Sequence, residues 1–251
     1  MSAGTPLQGS TALVTGATAG IGRAVAQRLA EQGAEVVLHG RDRTRGEALA
    51  KTIEQAGGSA RFVAADLADA EDTLRLASEA GDIDILVNNA GVFTAFTPTA
   101  QTDAAAFDLH VAVNTRAPFL LVGALAPAMA ARGHGSIITI GSSSVRTPAP
   151  IGAAYGASKA GVELLTRYWA TEFGGSGVRV NTVSPGPVVT EGLSAALGDQ
   201  ISVLDQASAR GRAGEPSEIA DIAAFLAGPA SSYINGAIIF ADGGETSRLP
   251  V

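Results

Sequence analysis

The chain has 251 residues, 46% hydrophobic and 16% charged, with 17 Lys and Arg against 24 Asp and Glu, a net charge of −7 and no cysteine. This suits one globular domain with a substantial core; it excludes disulfides, thiolate catalysis and a Cys-based zinc site, and the scattered basic residues speak against nucleic acid. No basic leader with an apolar core opens the sequence and no apolar stretch reaches the ~18 residues of a membrane span, so a cytoplasmic protein with no membrane partner is expected.

Strand and helix signals alternate along the chain. Strand over 10–15 is followed by helix over 20–32, strand over 35–39, helix over 44–56, strand over 60–65, helix over 69–79 and strand over 83–87. A long helix is expected over 103–131, then a strand over 136–141, a helix over 154–172 and a strand over 179–183. After a looser stretch, a helix over 216–227 and a strand over 237–240 close the pattern. Short apolar strands alternating with helices imply an α/β fold built on a doubly wound parallel sheet. No linker, repeat or low-complexity tract divides it, so residues 1–251 read as a single domain. The three histidines, His39, His110 and His134, lie far apart without metal-ligand spacing. They read as surface or loop residues, and no metal is expected.

After the first strand comes Thr15-Gly16-Ala17-Thr18-Ala19-Gly20-Ile21-Gly22, with a helix beginning at its end. Glycine here permits a tight turn and close backbone approach, so that a pyrophosphate can rest on the helix N-terminus. Gly16, Thr18, Gly20, Ile21 and Gly22 are therefore candidate cofactor-binding residues. In such folds a carboxylate ending the second strand selects NAD, whereas an arginine accepts the 2′-phosphate of NADP. This strand ends His39-Gly40-Arg41, which favours NADP through Arg41. Asp42 keeps NAD open as the lesser alternative.

Tyr155 and Lys159 stand four apart on the 154–172 helix, hence on one face and about one turn from each other. Alone, that spacing describes an ordinary surface pair. Were the ammonium roughly 5 Å away at an effective dielectric of about 20, it would stabilise a phenolate by about 3 kcal/mol, or about two pK units. Ser142 ends the apolar run 136–141, where an open α/β sheet binds ligands, and its hydroxyl is placed to hold a carbonyl oxygen.

Together with Asp66, Asn88-Asn89-Ala90-Gly91, Asn114 and Pro185-Gly186-Pro187-Val188-Val189-Thr190, these residues resemble the short-chain dehydrogenase/reductase family over nearly the whole chain. The resemblance implies a Rossmann fold in which Asp66, with Leu67, meets the adenine and Asn88, Ala90 and Gly91 line the cofactor cleft. It implies that Asn114 holds a water near Lys159, that Lys159 also bonds the nicotinamide ribose, and that Pro185, Gly186, Val188 and Thr190 support the carboxamide. It further implies hydride transfer between nicotinamide and a ketone or secondary alcohol, with Tyr155 as general acid, and a homotetramer.

Leu193, Leu197, Ile201 and Leu204 recur at helical spacing, which suggests one apolar stripe. By resemblance residues 191–212 form a substrate lid; a helix packed permanently on its own core fits equally. Ser142, Ser144, Tyr155, Pro187 and Leu193 are candidate substrate contacts. Val145, Pro150 and Ile151 would make the pocket apolar, and Arg146 or Glu191 would add a charge. The nearest subgroup is the 3-oxoacyl-acyl-carrier-protein reductases, yet Gly133 and Ser176 stand where those carry basic residues, with Arg132 a substitute contact. A nucleotide-binding redox sensor and a sugar-nucleotide epimerase are the remaining alternatives; the sensor would have no use for Ser142, Tyr155 and Lys159.

Overall fold

In a computed structural model, residues 5–93, 97–148 and 152–247 are described. Seven strands, β1 (Thr11–Val14), β2 (Glu35–Gly40), β3 (Ser59–Ala64), β4 (Ile85–Asn88), β5 (Gly135–Ile140), β6 (Val178–Pro185) and β7 (Ile238–Ala241), form one sheet in the order β3-β2-β1-β4-β5-β6-β7. Every pairing is parallel. Side chains alternate across the pleat between two cores. Ala12, Val14, Val36, Leu38, Ile85 and Val87 face one, and Leu13, Val37, Leu86 and Ile137 the other. Both faces are thus covered, which is why the strands read as continuous apolar runs.

The helices are α1 (Gly20–Glu31), α2 (Arg43–Gln55), α3 (Ala70–Ala80), α4 (Ala104–Val111), α5 (Ala117–Arg132), α6 (Ala153–Gly174), α7 (Glu191–Leu197) and α8 (Pro216–Ala227). The strand order reverses between β1 and the central strand β4. The crevice outside the carboxyl ends of those strands is where such a sheet takes its ligand.

Three expectations need correction. The helix expected over 103–131 is two helices joined by a π-helical turn, Ala112–Arg116. Pro118 has no N–H for the carbonyl four residues back, at position 114, and the Asn114 side chain bonds to a neighbouring segment; both favour a local departure from the α ladder. Taken through that turn, Ala104–Arg132 is long and apolar enough for a membrane span, with mean hydropathy 1.3 over its most apolar window, against the expected lack of such a stretch. Half of that window is buried inside the fold, as befits a core helix. Finally, the stripe from Leu193 to Leu204 is not one helix. Gly198, at φ +51°, ends α7, and a 3₁₀ segment follows over Gly198–Ala207.

Candidate active site

The loop after β1 is built around Thr15 and Asn89. Thr15 Oγ1 donates to the Val87 carbonyl at 3.2 Å and accepts from the Asn89 and Ala90 N–H groups at 2.9 and 3.0 Å. Asn89 Nδ2 donates to the Thr15 and Gly16 carbonyls at 2.8 and 3.1 Å. Gly16 and Gly20 take φ of +63° and +52°, conformations that side chains resist. The residue before α1, Ala19, provides no side-chain cap, and the first turn has no acidic residue. Its free N–H groups, with the dipole of α1, suit an anion. A Cβ on Gly22 would fall inside the Gly16 carbonyl oxygen and Asn89 Nδ2. Gly22→Ala is therefore expected to cost about 1–3 kcal/mol in denaturant unfolding and to weaken dinucleotide binding; a variant as stable as the parent would show that the loop can move aside.

Around the end of β2, two of three neighbouring guanidinium groups are occupied. Arg43 pairs with Glu47 at 3.4 Å and Arg45 with Asp42 at 3.3 Å. Asp42 also caps α2, accepting from Arg45 N–H at 3.0 Å, so its carboxylate already has work within the protein. Arg41 is exposed and forms no ion pair among the described residues. A Cβ on Gly40 would lie 2.7 Å from Thr18 Cγ2, so Gly40 lets the strand end meet the glycine loop. Beyond β3, Asp66 Oδ1 accepts from Ala68 N–H at 3.0 Å and its own N–H donates to Asp72 Oδ2 at 2.5 Å, while Leu67 is buried in the core.

Four residues converge at the carboxyl ends of β4 and β5. The Ser142 hydroxyl lies on the Tyr155 side of the site, near enough to lower the phenol's pKa. Lys159 Nζ donates to the Ile140 carbonyl at 2.8 Å and lies 5.9 Å from the centroid of the Tyr155 ring. Asn114 is buried, with Oδ1 accepting from Val92 N–H at 2.8 Å and Nδ2 donating to the Val92 carbonyl and Ser158 Oγ at 2.9 and 3.0 Å. Its amide is thus a clamp on two protein segments. Ser158 Oγ donates in turn to the Tyr155 carbonyl at 2.7 Å. A Cβ on Gly91 would sit 3.3 Å from Asn114 Oδ1 and 3.5 Å from Lys159 Nζ, so this glycine passes directly between them. Neither polar atom of the buried Asn88 amide has a partner, and the same holds for Thr139 Oγ1, its cross-strand neighbour. A floor of unserved polar atoms is what a polar ligand would satisfy. Glycine loop, free Arg41 and this floor together fit a dinucleotide with an additional phosphate.

The electrostatics differ from the expectation in sign. Burial pushes the Tyr155 phenol above its ordinary value, and the nearby Ser142 hydroxyl offsets only part of the rise. Burial also pushes Lys159 down to about 8, against the opposing pull of the Glu163 carboxylate. At that value the ammonium is only half charged in mildly alkaline water, which limits its help to a phenolate. Glu163, one turn beyond Lys159, is itself raised by burial and accepts from Ser184 Oγ at 2.5 Å. The lowered Lys159 value has a consequence for stability. Below about pH 8 both the folded and unfolded amines are charged; between about 8 and 10.5 only the unfolded one is, so stability rises with pH in that window. The unfolding free energy of the parent minus that of Lys159→Met is expected to increase by as much as about 3 kcal/mol from pH 8 to 10. A pH-independent difference would contradict a buried, depressed amine.

Pro185 ends β6, and Gly186 passes so close to Asp242 that a Cβ would lie 2.8 Å from its Cα. Pro187 accepts from Gly214 N–H at 2.9 Å, and the buried Val188 bridges to Gly214. Thr190 caps α7 by accepting from the half-buried Leu193 at 3.3 Å. A Cβ on Gly20 would meet Thr190 Cγ2 at 3.2 Å, so this segment reaches across the crevice to the glycine loop. Ser144 N–H donates to Ser142 Oγ at 3.2 Å, while the Ser144 hydroxyl is buried without a partner.

Several charges expected near the substrate are engaged elsewhere. Glu191 pairs with Arg23 of α1 at 2.6 Å, and Arg146 stacks over Phe240 at 4.3 Å. Arg132 pairs with Asp82 and Asp84 at 3.3 and 3.5 Å. Pro150 and Ile151 lie outside the described residues, as do the side chains of Leu197 and Ile201. Two histidines read as surface or loop residues are buried at the site. The His110 ring meets Tyr155 edge-on at 6.3 Å, as Phe93 does at 6.5 Å. His39 lies beneath the glycine loop. The one available signal for His110 was its position four residues before Asn114, on the same helical face.

A family model described as enoyl-(acyl carrier protein) reductase matches residues 16–246. The chain is 39% identical over 250 residues to galactitol 2-dehydrogenase (L-tagatose-forming) of Cereibacter sphaeroides, covering 96% of each. Among solved structures it is similar to one provisionally assigned as an NAD(P)-dependent gluconate 5-dehydrogenase from Beutenbergia cavernae, with bound NADP at low occupancy. The identity is 38% and the TM-score 0.92, over 98% of this chain and 100% of that one. A 3-oxoacyl-(acyl-carrier-protein) reductase from Agrobacterium tumefaciens with NADP bound matches at 34% identity and TM-score 0.90, over 96% of this chain and 95% of that one. With the parallel sheet, the glycine loop and the Ser142, Tyr155 and Lys159 constellation in place, this chain belongs to the short-chain dehydrogenase/reductase family of oxidoreductases.

Proposed function

We propose that this protein is an NADP(H)-dependent oxidoreductase that interconverts a ketone and a secondary alcohol, with Tyr155 as general acid and base. The observation that carries the reading is the convergence of the Tyr155 and Ser142 hydroxyls beside the buried Lys159 amine. When bound, the reduced nicotinamide supplies the hydride to the carbonyl carbon. The chain's own contribution is to the oxygen. A substrate carbonyl entering between Ser142 and Tyr155 accepts a hydrogen bond from each hydroxyl, and as negative charge develops Tyr155 transfers its proton to the new alkoxide. The resulting phenolate is held by the Ser142 hydroxyl and by Lys159 while the latter is protonated. NADP is favoured over NAD by the unpaired Arg41 and by an Asp42 already spent on capping α2. NADP-bound relatives support the same choice.

The substrate carbonyl compound is neutral, since Arg146 and Glu191 are engaged within the protein, and segment 191–212 serves as its cover. A carrier-protein thioester is a poorer fit because Arg132 is tied to Asp82 and Asp84. A ketone and alcohol panel followed at the reduced-nicotinamide absorbance band, with both cofactors, tests this. Turnover of simple or polyol-derived ketones with NADPH is expected; strong preference for acetoacetyl thioester, or for NADH, would overturn the substrate or cofactor reading respectively. We also propose assembly into a homotetramer through the exposed apolar residues Phe107, Phe119, Leu164 and Tyr168 on neighbouring helices and Tyr233 near β7. Sedimentation as a monomer would refute it.

A further inference from the structure

His39 is the last residue but one of β2, and a strand end beside water usually leaves a histidine wet. Here only 3% of its surface is exposed. Its ring and its backbone hold three separate segments together. Gly16 N–H donates to His39 Nδ1 at 3.2 Å, and Ala17 N–H donates to the His39 carbonyl at 2.8 Å. On the opposite side of the ring, Nε2 lies 3.1 Å from the Ala65 carbonyl oxygen. A carbonyl can only accept and a backbone N–H can only donate, so these two partners fix the tautomer: Nδ1 is a bare acceptor and Nε2 carries the hydrogen. An imidazolium cannot satisfy the set, because its Nδ1–H would point at Gly16 N–H.

We propose that His39, locked as the neutral Nε2–H tautomer, is a positioning residue for the adenosine-phosphate half of the cofactor site. It binds no ligand itself. It fixes the distance between the glycine loop, which would carry the pyrophosphate, and the loop holding Asp66 after β3. Arg41, two residues along, is set against both. The inference rests on the cofactor reading proposed above. Desolvation lowers the His39 pKa, which keeps the ring neutral. The charged groups facing it are Asp72 and Asp66, which favour the imidazolium, and Arg41, which opposes it.

Two readouts test this without turnover. In the free protein, long-range proton–nitrogen NMR at pH 7 should show His39 as the Nε2–H form; an Nδ1–H tautomer or an imidazolium would overturn the proposal. Calorimetric binding of 2′,5′-ADP to parent, His39→Leu and His39→Asn is the second. His39→Leu leaves Gly16 N–H without an acceptor and should weaken binding about tenfold. His39→Asn, whose Oδ1 reproduces Nδ1, should recover most of the loss, with both variants checked for native circular dichroism. Unchanged affinity in folded His39→Leu refutes the positioning role. Should His39→Leu not fold, failure of folded His39→Asn to approach the parent affinity refutes it instead. Should the parent itself not bind 2′,5′-ADP, the NADP reading fails, whereas the tautomer is judged independently by the spectrum.

Discussion

Tyr155→Phe is expected to fold, to bind NADPH with near-parental affinity and to lose at least ~100-fold in kcat, the scale of a single general acid. Phenylalanine preserves the edge contacts with Phe93 and His110, which involve the ring and not the hydroxyl. What disappears is the hydroxyl beside Ser142, and with it the proton. A Tyr phenol raised by burial is a weak acid in the ground state, which sharpens the prediction. Its proton moves only as an alkoxide, a far stronger base than the ketone, forms beside it, so the missing hydroxyl should depress kcat much more than the ketone KM. Steady-state rates with one ketone, together with NADPH fluorescence titration, separate these effects. Turnover within a few fold of the parent would point to a different proton donor.

Arg41→Ala carries the second large effect, on cofactor choice. A guanidinium bonding a phosphate through charge-assisted hydrogen bonds contributes about 1.5–3 kcal/mol, hence roughly a 10–100-fold rise in KM for NADPH. NADH lacks that phosphate, so its KM should change little. The effect is confined to Arg41 because Arg43 and Arg45 have carboxylate partners that hold them away. Comparable increases for both cofactors would remove Arg41 from the phosphate site and return Asp42 to consideration.

The architecture was legible because period-2 and period-3.6 patterns are local and strong. The Pro216–Ala227 helix is found at the expected bounds, its Pro at the first position and its Glu215–Glu218 capping box being written in the sequence. The strand that leads into Ser142 and the helix holding Tyr155 and Lys159 were likewise readable, since spacing fixes which face a residue takes. Features set by tertiary contact were not. Pro118 hinted at the π turn, but the contact of Asn114 with Val92, twenty-two residues away in sequence, is encoded by no local propensity. His39 and His110 looked unremarkable because burial of a polar ring depends on partners from distant segments.

The direction of the Tyr155 shift was hidden for a related reason. A four-residue spacing gives a separation of charges, but not the desolvation each group suffers, and here desolvation dominates both Tyr155 and Lys159. Gly198 misled in another way. The leucine spacing from 193 to 204 is helical, yet its +51° φ ends α7 after seven residues. In Gly141, by contrast, a plain strand-end residue has a defined purpose: a Cβ there would fall inside Ser184 Oγ and reach 3.1 Å from Glu163 Oε1, so glycine lets that buried pair sit directly behind Ser142.

The most direct measurement of Tyr155's role is a crystal structure of the protein with NADP and an unreactive ketone analogue. The carbonyl oxygen is expected within hydrogen-bond reach, roughly 2.6–3.2 Å, of both the Tyr155 and Ser142 hydroxyls. An analogue oxygen bound elsewhere in the crevice, out of reach of the Tyr155 hydroxyl, would contradict proton delivery from Tyr155.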